Sequence, residues 1–239
     1  MEITNNIEII DLALYLKKEK TLIISDLHIG LEESLNKQGV LIPRSQFNDF
    51  LNKLKLIFNK VEVSRIIFNG DLKHEFGSIS RQEWNNILKL FDFLQDKEII
   101  IIKGNHDPIL KPIADKRNLK LVEFFNLNDI TILHGDKILD SLNKTLIIGH
   151  EHPAILLKKG ARSEKYSCFL KGKYKNHELI IMPSFNLLVH GTNVLKEKFL
   201  SPFLSKIEDF EVYIVEPTED LNNLSKTLYF GKIKDIRKL

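Results

Sequence analysis

The sequence predicts an α/β fold with two sheets, and three observations support it. Short β-branched runs alternate with helix-like segments over the first 150 residues. Beyond residue 153 the apolar runs succeed one another without long helices between them. Each of five strands in the first part runs out into a polar residue able to bind a metal, and ligands of α/β sheets gather outside the carboxyl ends of strands.

Strands are expected at Thr21–Ser25, Arg65–Asn69, Glu98–Lys103, Ile130–Leu133 and Thr145–Ile148. Between the first two, Phe47, Phe50, Leu51, Leu54 and Phe58 recur at helical spacing and predict an amphipathic helix. Between the second and third, Ser80 and Glu83 form a capping-box pattern, a serine cap with an acid three residues on. Trp84, Ile87, Leu88, Phe91 and Leu94 then make one apolar helical face. Strand, helix, strand, helix, strand argues for an at least partly parallel sheet. After residue 153 the segments KYSCFLKGKYKN, HELIIMP, EVYIVEP and KTLYFGKI predict a second, mostly antiparallel sheet packed on the first. No linker composition and no internal repeat divides the chain, so residues 1–239 are expected to form one domain.

The chain has 239 residues, 43% hydrophobic and 28% charged, enough for a substantial core. A formal charge of +3 is only a weak pull toward anions. The single cysteine, Cys168, cannot pair within the chain, which fits a reducing compartment. The N-terminus lacks the basic start of a secretory signal, and Glu8 and Asp11 break its apolar positions. Ile99–Ile102 is the longest apolar block of interest and falls far short of a membrane span. A cytoplasmic protein with no membrane partner is expected.

The strand exits carry the chemistry. They read Asp26-Leu27-His28, then Asp71, then Asn105-His106-Asp107, then His134, then His150-Glu151-His152. Six of the eight histidines lie in these loops, and only His177 and His190 lie elsewhere. Taken singly, each motif is ordinary. A D-x-H arises by chance, a Gly-Asp pair at a strand end is usually a turn, and a lone histidine is usually a core or capping residue. Their conjunction, always at strand ends, argues for a shared site. Mixed imidazole, carboxylate and amide donors suit manganese, iron or zinc and disfavour calcium or a thiolate cluster.

The order DLH, GD, GNHD, H and GHEH resembles the calcineurin-like metallophosphoesterase superfamily, over residues 26–152. The resemblance implies a two-layer β-sandwich flanked by helices, a four-layer α+β (αββα) arrangement with its metal site at the strand C-terminal ends. It implies that Asp26, His28, Asp71 and His152 hold one metal. Asp71 would bridge to a second, completed by Asn105, His134 and His150. The cofactors are then two divalent ions, manganese first, with iron, zinc or nickel as alternatives. Such a pair, roughly 3.5–4 Å apart, clamps the attacking and leaving oxygens of a phosphoryl centre while a bridging hydroxide attacks in line. By the same resemblance His106 faces the substrate, stabilises the phosphoryl oxygens and protonates the leaving alkoxide. Asp107 is expected to fix the tautomer of His106 and raise its basicity; the plainer reading is a turn before Pro108.

DLHIGLEESL and GDLKHEFG are similar to small prokaryotic phosphoesterases related to SbcD-type nucleases, including those associated with DNA ligases. Those nucleases carry a histidine three residues after the bridging aspartate, and Leu72, Lys73 and His74 reproduce that spacing. The resemblance makes His74 a contact of the scissile phosphodiester. The chain has no long C-terminal extension of the nuclease kind, so a compact phosphodiesterase acting on ends, single strands or nucleotides is expected. Between Leu156 and Asn176 seven basic residues face one acid, Glu164. Lys158, Lys159 and Arg162 follow His152 closely enough to hold a substrate phosphate, and Lys171, Lys173 and Lys175 alternate as on one strand face. A solvated edge strand explains the same lysines. No aromatic-interleaved basic motif signals base stacking.

The expected function is metal-dependent hydrolysis of phosphodiesters, nuclease-like or on nucleotides, so the partner is a phosphoester substrate, nucleic acid or nucleotide. A phosphomonoesterase or nucleotide pyrophosphatase on the same site is the alternative. A non-catalytic scaffold on the same fold would have lost ligands or His106, and none is lost here. The oligomeric state is not legible.

Overall fold

All five motif-bearing runs form strands in the computed structural model, but they divide between two sheets. The structure describes every residue except positions 160, 161, 190, 197, 219, 221 and 239, and the side chains of Lys158, Lys159 and Arg162 also lie outside the described residues.

In the first sheet β4 (Thr21–Ser25), β5 (Arg65–Asn69), β6 (Glu98–Ile102) and β7 (Lys120–Val122) run parallel. The chain enters it through an antiparallel meander, β1 (Glu2–Thr4), β2 (Ile7–Ile10) and β3 (Ala13–Leu16), whose last strand pairs with β4. This meander is not among the expected elements. Its turns are made by Asn6 and Asp11, at φ 70° and 54°, in the left-handed region that short polar side chains tolerate.

Helices α1 (Leu31–Lys37) and α2 (Gln46–Lys60) connect β4 to β5, α3 (Arg81–Phe93) connects β5 to β6, and α4 (Lys111–Lys116) leads to β7. Phe50, Leu54 and Ile57 of α2 are buried, with Phe47, Leu51 and Phe58 half-buried beside them. The capping box of α3 is formed on both sides: Glu83 N donates to Ser80 Oγ at 3.1 Å, and Ser80 N donates to Glu83 Oε2 at 2.7 Å. Its buried face is Ile87, Leu90, Phe91 and Leu94, while Trp84 and Leu88 pack at its margin.

The second sheet differs from expectation. A single residue, Glu123, separates β7 from β8 (Phe124–Leu127), where the chain changes sheets. β9 (Ile130–Leu133) pairs antiparallel with β8 and parallel with β10 (Thr145–Ile148), which pairs parallel with β13 (His177–Ile181). Only beyond these is the sheet antiparallel, through β11 (Pro153–Lys159), β12 (Arg162–Tyr174), β15 (Glu211–Glu216) and β16 (Lys226–Lys232), with β14 (Thr192–Asn193) alongside β11. The expected antiparallel sheet is therefore mixed, because β9 and β10 belong to it rather than to the first.

Alternation along the second sheet sets the layers. Ile132, Ile147, Phe169, Ile180, Tyr213 and Val215 join the core shared with the first sheet. Their neighbours Leu133, Leu146, Ile148, Cys168, Leu170, Leu179, Ile181, Val212 and Ile214 face a second core closed by Phe203, Leu204, Ile207 and Phe210. The short helix α5 (Ile233–Ile236) completes that cover, so this outer layer is largely irregular chain. The architecture is the two-sheet sandwich expected, with helices concentrated on the first sheet. Among the described residues no helix is long and apolar enough to cross a membrane.

Candidate metal centre

The exits of β4, β5, β6, β9 and β10 converge at one end of the sandwich, so the site straddles both sheets. Backbone pairing continues past the strands: His28 N donates to Asp71 O at 2.9 Å, Ile29 N to Leu72 O at 2.9 Å and His74 N to Ile29 O at 3.0 Å. Asp26, His28, Asp71, His150 and His152 all sit at positive φ, between 42° and 62°. Non-glycine residues there are uncommon, and clusters of them mark places where the surroundings enforce a functional geometry. Two glycines make room. Gly70 has φ 81°, and a Cβ there would lie 2.0 Å from His134 Nδ1; a Cβ on Gly149 would lie 2.3 Å from Asp26 Oδ2.

Three clusters of donor atoms result, each within 4.8 Å: Asp26, His28 and His152; Asp71, His134 and His150; and His28, His74 and His106. His152 Nε2 lies 3.1 Å and His134 Nδ1 3.5 Å from Asp26 Oδ1. Asp71 Oδ2 lies 3.8 Å from His28 Nε2 and 3.6 Å from His134 Nε2, between the first two clusters, where a bridging carboxylate belongs. Asn105 Oδ1 is 2.9 Å and His150 Nδ1 3.1 Å from His134 Nε2. Ligands bound at 2.0–2.2 Å to one ion stand about 3.0–3.5 Å apart, so these spacings fit shared coordination. The buried His152 Nε2 has no hydrogen-bond partner among the described residues, which also fits cation ligation.

The electrostatics agree. Burial pushes the Asp71 carboxyl up, and the neighbouring charge of Asp26 adds to the push. For Asp26 burial works in the same direction, but His152 and His134 outweigh it and hold the group ionised. Burial, then the nearby imidazoles, depress His28, and His150 is lowered to about 4 mainly by burial and by His134. Imidazoles depressed as His28 and His150 are, beside an ionised Asp26, offer donors for a divalent cation.

His106 and His74 stand beside these ligands. Their ring centroids lie 5.1 and 5.5 Å from that of His28. His106 Nδ1 donates to the His74 carbonyl at 2.7 Å, and its backbone N–H donates to Asp71 Oδ1 at 2.8 Å. Asp107 is not the partner of His106. Its buried carboxylate accepts from the backbone N–H groups of Leu72, Lys73 and Gly104 at 3.1–3.3 Å, tying the β5 exit to the β6 exit. The tautomer of His106 is set by a main-chain carbonyl instead.

The basic stretch also departs from expectation. Lys171 and Lys173 lie on β12 opposite Ile180 and Glu178, and Lys175 sits in a turn at φ 53°. Lys171 Nζ donates to Ile3 O at 2.8 Å and is not free for substrate. The candidate phosphate contacts Lys158, Lys159 and Arg162 lie outside the described side chains.

Three further residues escape a reading of motifs. The fully buried Glu83 accepts at Oε1 from the backbone N–H groups of His74 (3.2 Å) and Glu75 (2.9 Å), so the cap of α3 also anchors the His74 loop. The only sequence signal was the capping box. Glu151, between two ligand histidines, accepts at Oε2 from Leu200 N at 2.8 Å and Ser201 N at 2.9 Å and clamps the second sheet's cover to the site. Phe76 is 69% exposed, with its ring 5.9 Å from and perpendicular to that of His106.

A family model described as calcineurin-like phosphoesterase matches residues 19–215. No individual curated protein matches the chain. Among solved structures, nuclease MPE of Pseudomonas putida is 18% identical with a TM-score of 0.62, over 85% of this chain and 88% of that one. Yfce, a phosphoesterase from E. coli, is 13% identical with a TM-score of 0.40, over 87% and 97%. Vps29 from Cryptosporidium parvum is 14% identical with a TM-score of 0.39, over 89% and 97%. At 18% identity the likeness to nuclease MPE is one of fold. The family match covers most of the chain and every strand exit that carries a donor, and the chain belongs to the calcineurin-like phosphoesterase family.

Proposed function

We propose that the protein is a metal-dependent phosphodiesterase acting on nucleotides or nucleic-acid ends. The observation that carries this reading is the adjacency of two donor clusters joined by Asp71 with a histidine pair, His74 and His106, that stands against them. Asp26, His28, Asp71 and His152 would hold one cation, and Asp71, Asn105, His134 and His150 the other, manganese first. Two divalent ions so held supply Lewis-acid polarisation of the phosphoryl group and acidify the attacking water.

The chain's own groups account for the rest. A carbonyl can only accept, so the bond to His74 O requires the proton of His106 on Nδ1. Its Nε2 is then the atom that carries or returns a second proton, and protonated there it donates to the departing alkoxide. His74 is kept neutral by burial and by the nearby His106, so it serves as a hydrogen-bond donor to a phosphoryl oxygen rather than as a charge. The fixed backbone of Leu72–Glu75, held by Asp107 and Glu83, keeps both rings in place. The fold likeness to nuclease MPE is compatible with a diester substrate.

Purified protein supplied with manganese should hydrolyse bis-p-nitrophenyl phosphate. Silence with every first-row transition metal would overturn the reading. His106→Ala should abolish turnover of a dinucleoside monophosphate, whose departing sugar alkoxide needs the proton, while the metal content stays near two per chain.

A further inference from the structure

We propose that Phe76 is a specificity-determining residue, a stacking platform for a nucleobase on the leaving-group side of a nucleotide ester. The inference rests on the phosphodiesterase reading above and names its substrate class. Exposure alone decides nothing, since single apolar residues are common on surfaces. What sets Phe76 apart is where it is held. It is 69% exposed, yet its ring lies 5.9 Å from His106, perpendicular to it. The loop that carries it is tied down immediately before the ring. Glu75 N donates to the buried Glu83 at 2.9 Å, the buried Lys73 Nζ donates to Glu75 O, and His74 O accepts from His106 itself. A flat apolar ring on an anchored backbone is thus presented to solvent against the group that protonates the leaving oxygen.

The chemistry of His106 narrows the ligand. A phenolic leaving group has a pKa near 10 and departs with little help, whereas a sugar alkoxide is far more basic and requires a proton. A general acid beside an aromatic platform therefore suits a leaving group that is a sugar hydroxyl carrying a planar ring, which is a nucleoside. Every base offers a π face, so such a platform tolerates sequence while demanding a base.

The test compares a dinucleoside monophosphate with two counterparts, each lacking the base on one sugar, in manganese-loaded protein. Products of the parent compound identify the sugar that leaves. Wild type should favour the base on that sugar by about tenfold in kcat/KM, within the range that base–aromatic stacking supplies. Phe76→Ala should bring that ratio close to one, and Phe76→Trp should keep it. An unchanged ratio in Phe76→Ala, or equal losses in Ala and Trp variants, would overturn the platform. So would a Phe76-dependent preference for a phenyl ester with none for the base. Wild type that cleaves none of the three compounds would overturn the phosphodiesterase reading itself, a result distinct from an unchanged ratio.

Discussion

Gly149→Ala should strip the site of metal without unfolding the chain. The backbone at Gly149 is not in the left-handed region, so alanine adds no conformational strain and acts only through its methyl group. That Cβ would stand 1.9 Å from Ser25 Oγ and 2.3 Å from Asp26 Oδ2. Neither neighbour has slack: Ser25 Oγ donates to Asp26 at 2.6 Å and lies 3.0 Å from Asn69 O, and His150 N donates to the same carboxylate at 3.1 Å. Relief requires a shift of about 1 Å, against a tolerance of about 0.2 Å in metal–ligand distance. Overpacking should cost about 1–3 kcal/mol of stability. Metal affinity should fall at least tenfold, roughly the loss seen when a ligand's supporting partner is removed. Atomic spectroscopy after dialysis against manganese should read about one metal per chain or fewer, with urea unfolding still cooperative. A variant that retains two metals and wild-type stability would refute the steric reasoning.

Other expectations follow from the same loops. Glu83→Gln leaves an amide N–H facing backbone N–H groups, so it should cost roughly 1–3 kcal/mol in urea unfolding and lower diester turnover through the loosened His74 loop. Asp107→Asn should destabilise by a similar amount in urea unfolding, because one carboxylate oxygen that accepts backbone N–H groups of Leu72, Lys73 and Gly104 becomes an amide N–H. His74→Ala should reduce diester cleavage about tenfold more than monoester cleavage; equal losses would remove His74 from diester recognition. In metal-free protein the Asp71 carboxyl holds its proton to unusually high pH, and a cation must displace it. Affinity should therefore fall about tenfold per pH unit below that raised value, while the depressed histidines, already neutral near pH 7, release none. Calorimetric titration with manganese between pH 6 and 8 reads this slope, and a flat profile would contradict it.

Local pattern carried most of the site. The runs 21–25, 65–69, 130–133 and 145–148 are strands with the expected bounds, and the third motif strand ends at Ile102, one residue early. Each exits into its donor because buried β-branched runs are legible and so are the polar turns that stop them. Which sheet each strand joins was not legible. β9 and β10 look like β4 and β5 in composition, and only the reversal around Glu123 sends them to the other layer. The N-terminal meander was hidden for another reason: its strands of three and four residues are too short for alternation to register, and the turn signals are single residues, Asn6 and Asp11. Asp107 shows the limit of adjacency. Next to His106 in the chain, its side chain turns back onto three amides, and that contact depends on Leu72 and Lys73 arriving from another strand.

The division of the donor set between sheets has a thermodynamic consequence. Asp26 and His28 leave the first sheet and His150 and His152 the second, and the His150–Asp26 contact closes a loop of 124 residues. A cation held by both sides binds only when the two strand ends meet, so its binding free energy goes to the folded state alone. Ligation adds about 2.7 kcal/mol when free metal stands at a hundred times its dissociation constant. For a chain of this size each kcal/mol moves the melting temperature by about 2–4 °C. The melting temperature of the protein should therefore track free metal, and metal scarcity would lower the amount of folded protein as well as its activity.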